Sequence, residues 1–69
     1  MKRERHLKMF EGICFGMKKK PVTEQFGNGF TTHFTWDSGD VTQGYGWTES
    51  ESMQDFEDAI CVKYEGWGL

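Results

Sequence analysis

Residues 29–48 contain two alternating runs, GFTTHFTW and VTQGYGWT, on either side of Asp37-Ser38-Gly39-Asp40. Large residues that alternate with small or polar ones describe a strand with one buried face. Thr, Phe, Val, Tyr and Trp suit such a pleated surface. The four residues between the runs have turn chemistry, and Gly39 is free to take a positive φ. A hairpin is therefore expected, with strands near 30–36 and 41–48. Setting Trp36 opposite Val41 brings Phe34 to Gln43, Thr32 to Tyr45 and Phe30 to Trp47. One face then carries Phe30, Phe34, Trp36, Val41, Tyr45 and Trp47. The other carries Thr31, His33, Thr35, Thr42, Gly44, Gly46 and Thr48. A slip of one residue would pair aromatics with glycines and threonines, so the pattern is expected to hold this register.

The flanking segments extend the hairpin. Gly27-Asn28-Gly29 fits a three-residue loop that sets Phe26 opposite Phe30 and Val22 opposite Phe34. This gives a strand over 22–26, opened by Pro21 where a missing N–H is tolerated. In the first segment, Leu7, Met9, Ile13, Phe15 and Met17 alternate as a strand, while Leu7, Phe10, Cys14 and Met17 also fit one side of a helix. Gly12 and Gly16 each cost a helix roughly 1 kcal/mol relative to Ala. A strand over 6–17, bulged near Gly12, is the expectation. Beyond the hairpin, Met53, Phe56, Ile60 and Tyr64 recur at helical spacing. Ser52 with Asp55 resembles a capping box, and Gly66 closes a helix near 51–65.

The expected fold is α+β: a four-stranded antiparallel β-meander with one C-terminal α-helix packed on the aromatic face. Residues 1–69 are expected as a single small domain, with 1–5 a flexible basic arm. Phe34, Trp36, Tyr45, Phe56 and Ile60 should be among the most buried side chains. Aromatics at 16% and a single Pro speak for an ordered chain, but 36% apolar residues in a chain of 69 make a thin core. Homodimerisation is one remedy for such a core. No apolar run approaches the ~18 residues of a membrane span, and no apolar stretch of signal-peptide type follows the basic start. Two cysteines, Cys14 and Cys61, fall short of a disulfide scaffold, so a reduced, cytoplasmic setting is expected.

Catalytic patterns are missing from the sequence. His6, Cys14, His33 and Cys61 are the only soft metal ligands, and no Cys-x-x-Cys or His-x-x-x-His pair occurs. A Cys14–His33 nucleophile pair on the outer sheet face is the nearest approach to covalent catalysis. Asp37 and Asp40 are expected to hydrogen-bond their own turn. The serines lie in no nucleophile elbow, and no GxxxxGK phosphate loop is present. We expect no enzyme, no metal and no cofactor.

Charge is more informative. Residues 1–20 hold seven bases against two acids, or +5, and residues 21–69 hold one base against nine acids, or −8. Glu51, Asp55 and Asp58 recur at four- and three-residue spacing, away from the apolar stripe of their helix. Asp37 and Asp40 add to the field from the hairpin turn. Carboxylates on a rigid scaffold suit a basic protein surface, including a groove that normally holds phosphates. Trp67, Leu69 and the sheet rim are expected to supply adjacent apolar contact. The alternative is direct nucleic-acid binding through the arm residues Lys2, Arg3 and Arg5 and the loop Lys18-Lys19-Lys20. Against it, the sheet aromatics are expected under the helix and unable to stack bases.

The order GNGFTTHFT followed by GDVTQGYGWTESESMQDFEDAI is similar to the sheet-then-helix half of HicB-type antitoxins, over residues 27–60. The Pro-Asp-Leu-Pro-Gly stretch of that family is replaced by Thr35-Trp36-Asp37-Ser38-Gly39, and no DNA-binding segment follows. Small phage-encoded inhibitors share the same outline of a short acidic chain with a few strands and one helix. The acidic stripe without a catalytic pattern leads to the expectation of a non-enzymatic inhibitor or regulator, phage accessory or antitoxin-like, of a basic or nucleic-acid-handling partner, and the resemblance points the same way.

Overall fold

The computed structural model describes residues 2–69, and the chain follows the order helix, three strands, helix. Helix α1 covers Lys2–Met17, strands β1, β2 and β3 cover Val22–Phe26, Gly29–Thr35 and Val41–Gly46, and helix α2 covers Glu49–Gly66. The strands form one antiparallel sheet in the order β1-β2-β3. The α+β antiparallel class is as expected, but the described residues form three strands and two helices rather than four strands and one helix.

The first segment is the missing strand. Its helical reading wins because it buries His6 and Phe10 and packs Leu7, Met9, Ile13, Cys14 and Met17 against the core. Gly12 and Gly16 lie on the exposed side, where an added Cβ would meet nothing within 4 Å. Their propensity cost is therefore local, while the opposite face gains burial that an alternating strand could not concentrate on one side. Lys2, Arg3 and Arg5, expected as an arm, fall in the opening turns of α1. Lys18 ends the helix with φ 57, and the Lys19 N–H donates to the Cys14 carbonyl at 3.1 Å, a left-handed cap.

The hairpin is present with its register shifted by one residue. Phe30 pairs with Gly46, Thr31 with Tyr45, Thr32 with Gly44 and Phe34 with Thr42. The first hairpin shifts likewise: Phe26 pairs with Gly29, across the two-residue turn Gly27-Asn28. Gly27 has φ 60 at the first central position, as a type II′ turn requires. The cause of the shift is visible at the glycines. A Cβ on Gly44 would lie 2.2 Å from the Phe56 nitrogen, and one on Gly46 would lie 2.5 Å from the Ser52 nitrogen. The backbone of α2 rests directly on β3, so the glycines must face the helix and Val41, Gln43 and Tyr45 must face away. Aromatics from β2 then fill the space beside the glycine seat.

Phe10, Phe34, Trp36, Phe56, Ile60 and Tyr64 form the buried core. Tyr45, expected within it, is 43% exposed on the opposite face. Met53 lies at the exposed rim of the helix stripe. A buried hydroxyl chain ties three elements together. Thr23 Oγ1 meets Thr32 Oγ1 at 2.8 Å, Thr32 Oγ1 meets Ser52 Oγ at 2.9 Å, and Ser52 Oγ donates to the Glu49 carbonyl at 2.9 Å. Since the last acceptor is a carbonyl, each hydroxyl donates onward from β1 to β2 to α2. Trp36 Nε1 donates to Thr42 Oγ1 at 2.8 Å, which satisfies its buried indole. The cap of α2 is Thr48, whose Oγ1 accepts from the Glu51 N–H at 3.1 Å, so the helix starts before the expected Ser52 box. Its C-cap is Trp67 rather than Gly66.

Candidate partner-binding site

The first three turns of α2 lie along the outer margin of β3, and a groove of about 350 Å³ runs between them. Tyr45, Gly46, Trp47, Glu51, Gln54, Asp55 and Asp58 line it. The i, i+4, i+7 spacing of Glu51, Asp55 and Asp58 sets these carboxylates on one side of the helix. Their apolar neighbours come from the strand: Tyr45 because of the shifted register, and Trp47 because it sits between β3 and the Thr48 cap. Trp47 is 66% exposed and its ring stands edge-on to Tyr45 at 6.2 Å.

The three acids do different work. Asp55 Oδ2 accepts the Tyr45 N–H at 2.9 Å and so satisfies a strand-edge donor. Asp58 accepts a hydrogen bond from the Arg3 guanidinium, and Arg3 reaches Glu57 at 3.5 Å with its other terminal nitrogen. The Asp58 hydrogen bond raises the Arg3 pKa above its ordinary value, against the opposing effect of desolvation. Glu51 has no side-chain partner among the described residues, and its carboxylate is free in the groove.

Asp37 and Asp40 do not join this site. The turn they flank is closed by backbone: Gly39 N–H to the Trp36 carbonyl at 2.9 Å and Trp36 N–H to the Asp40 carbonyl at 2.8 Å. Asp37 pairs with Lys19 at 3.8 Å and Asp40 with Lys63 at 3.9 Å, rather than bonding within the turn. Lys63 stands twelve residues beyond Glu51, roughly 18 Å along α2, so the turn acids belong to the other end of the molecule. Trp67 is also engaged there. Its ring meets Trp36 at 5.9 Å and Tyr64 at 5.5 Å, and Lys63 lies over both Trp36 and Trp67. Leu69 offers its main-chain oxygen to the buried His6 Nε2 at 2.9 Å. Trp67 and Leu69, though still partly exposed, lie at that other end, and the apolar residues beside Glu51, Asp55 and Asp58 are Tyr45 and Trp47 of the sheet rim.

The basic residues are divided. Arg3 is paired with acids on α2, whereas Lys18, Lys20 and the Asp37-paired Lys19 line a shallow hollow with Phe15, which is 87% exposed. Lys2 and Arg5 are exposed on α1. Cys14 packs against the core from α1, while His33 sits on the outer sheet face 3.2 Å from Glu24, so no Cys–His pair forms. Both cysteines are free. Among the described residues no three His, Cys, Asp or Glu side chains gather as metal ligands, and no helix is long and apolar enough to cross a membrane.

Compared with protein-family models, curated proteins and solved structures, the chain matches none.

Proposed function

We propose that this chain is a non-enzymatic binding protein that regulates a partner protein by docking the partner's basic surface into the groove between α2 and β3. The observation that carries this reading is the meeting of Glu51, Asp55 and Asp58 with exposed Tyr45 and Trp47 in one groove. Carboxylates steer a basic surface and fix its orientation, and the two rings supply apolar area for affinity. A rigid row of acids also competes for a groove built to hold phosphates, the property an inhibitor or antitoxin-like regulator of a nucleic-acid enzyme needs.

The test is capture from host lysate at low and high salt, with proteins identified by mass spectrometry. Asp55 and Asp58 hold structural hydrogen bonds, so the informative variants are Glu51→Lys and Trp47→Ala. Each should lose a basic partner while retaining the wild-type circular dichroism spectrum. Equal capture of the same partner by both variants would reduce the groove to a solvated surface.

One observation favours the alternative of nucleic-acid binding: Phe15 stands exposed beside Lys18, Lys19 and Lys20. In that reading a labelled single-stranded oligonucleotide binds at about 50 mM salt, is released as salt rises, and is lost when the three lysines become Gln.

A further inference from the structure

The shifted register leaves the sheet face opposite α2 uncovered. Val22, Phe26, Val41 and Tyr45 emerge there, and Trp47 continues the surface at the β3 margin, each of the five at least 43% exposed. Phe26, Tyr45 and Trp47 form a row, with centroid separations of 6.4 Å and 6.2 Å and edge-to-face contacts. Carboxylates flank the row on both sides. Glu24 stands on the β1 side, and Asp55, Glu51 and Asp58 stand on the α2 side. Apolar rings bordered by acids repel phosphates and attract cations.

We propose that this row is the specificity element of the binding groove, and that its occupant is an extended segment of the partner with arginines at alternate positions. The inference rests on the basic-partner reading and adds to it a residue type and a spacing. The spacing comes from the rings. Alternate residues of an extended chain lie roughly 6.6–6.8 Å apart, close to the separations along the row. The residue type comes from how the two kinds of cation meet rings and carboxylates. Lys63 lies over Trp36 and Trp67 yet comes only within 3.9 Å of Asp40, an ion pair without a hydrogen bond. Arg3 hydrogen-bonds Asp58 and extends its second nitrogen toward Glu57. A guanidinium stacks flat on a ring while its in-plane donors hydrogen-bond carboxylates at the ring's edge, whereas the Lys63 ammonium over its rings holds Asp40 only at ion-pair distance.

Calorimetric titration of the full chain with three capped peptides tests this: Arg-Ser-Arg-Ser-Arg, Lys-Ser-Lys-Ser-Lys, and Arg-Arg-Arg-Ser-Ser. The alternating arginine peptide should bind about tenfold more tightly than the lysine peptide and about threefold more tightly than the clustered one. Phe26→Ala and Trp47→Ala, both at exposed positions, should each shrink the arginine preference without altering the thermal midpoint. Equal affinity for arginine and lysine peptides, unchanged in those variants, overturns the specificity row but leaves the carboxylate groove standing. If neither peptide binds at about 50 mM salt, where charge attraction is strong, both readings fall. Two other occupants would also overturn it. A second copy would show as a concentration-dependent doubling of mass in sedimentation that Trp47→Ala abolishes, and a nucleic acid as oligothymidylate binding lost in Phe26→Ala and Trp47→Ala.

Discussion

Gly44 and Gly46 decide more of this structure than any aromatic does. They carry no side chain where the α2 backbone lies on β3, and their orientation fixes which face every other β3 residue takes. Gly44→Ala must push α2 off the sheet, because the new Cβ would meet main-chain atoms of Phe56 rather than a flexible side chain. The expected cost is about 3 kcal/mol or more, enough to unfold much of a chain this small. Gly12→Ala and Gly16→Ala provide the contrast. Nothing lies within 4 Å of either new Cβ, so each should stabilise the protein by roughly 0.5–1 kcal/mol. Urea midpoints of the three variants check both signs. Tyr64 gives a second residue-scale prediction. Its hydroxyl is buried without a partner among the described residues, and burial raises its pKa above the ordinary 10.0. Burial likewise raises Cys14 and Cys61 above 9.0. The unfolded chain releases these protons at lower pH than the folded one, so the folded state binds more protons and stability falls as pH rises from the ordinary values through the raised ones. The thermal midpoint should therefore decline above about pH 9, and Tyr64→Phe should decline less steeply while losing nothing at neutral pH.

At the scale of elements, the strand segments and the second helix were legible from periodicity, and the register was not. Alternation identifies two faces without saying which one is buried when one alternating set is partly glycine. Counting rings favours aromatic against aromatic. The structure instead sets β2 aromatics beside β3 glycines, because a helix needs a flat seat as well as apolar partners. The first element was ambiguous for a related reason. Leu7, Phe10, Cys14 and Met17 trace a helix face, and the propensity penalty of Gly12 and Gly16 is outweighed by burial of the opposite side, which the residue types alone do not reveal. His6, fully buried on that same side, is a further helical position hidden by its polarity. The start of α2 was displaced because Ser52 and Asp55 imitate a cap while working elsewhere, one in the hydroxyl chain and one on the Tyr45 N–H. Thr48 performs the capping, so Thr48→Ala should cost about 1 kcal/mol. Chemical denaturation of Thr48→Ala beside Thr48→Ser, which keeps the acceptor, separates the cap from simple loss of packing. A midpoint in Thr48→Ala equal to wild type would place the helix start elsewhere.

Across the whole molecule, the division of charge along the sequence is partly closed in space, since Arg3 meets Asp58 and Glu57, and Lys19 meets Asp37. The convergence of Glu51, Asp55 and Asp58 was legible from their spacing. The separation of Asp37 and Asp40 from them was not, because it depends on where the hairpin ends relative to α2. The aromatic half of the candidate site was hidden for the same reason as the register. Phe10 is the side chain that joins all parts: its ring lies 5.0 Å from Phe34, 5.7 Å from Trp36 and 5.6 Å from Phe56. It thus connects α1 to the sheet and to α2, and each contact is edge-to-face, a geometry that adds to the burial itself. Removing the ring leaves a void bordered by three elements that cannot all close on it. Phe10→Ala should therefore cost about 3–5 kcal/mol. The loss should appear as one earlier transition, with the far-ultraviolet helix signal and the near-ultraviolet tryptophan signal falling together. Phe15→Ala, on the exposed side of the same helix, should remain within about 0.5 kcal/mol of wild type. If Phe10→Ala instead melts in two steps, with helix signal lost first and the tryptophan signal surviving, α1 is an appendage and the sheet with α2 holds together without it.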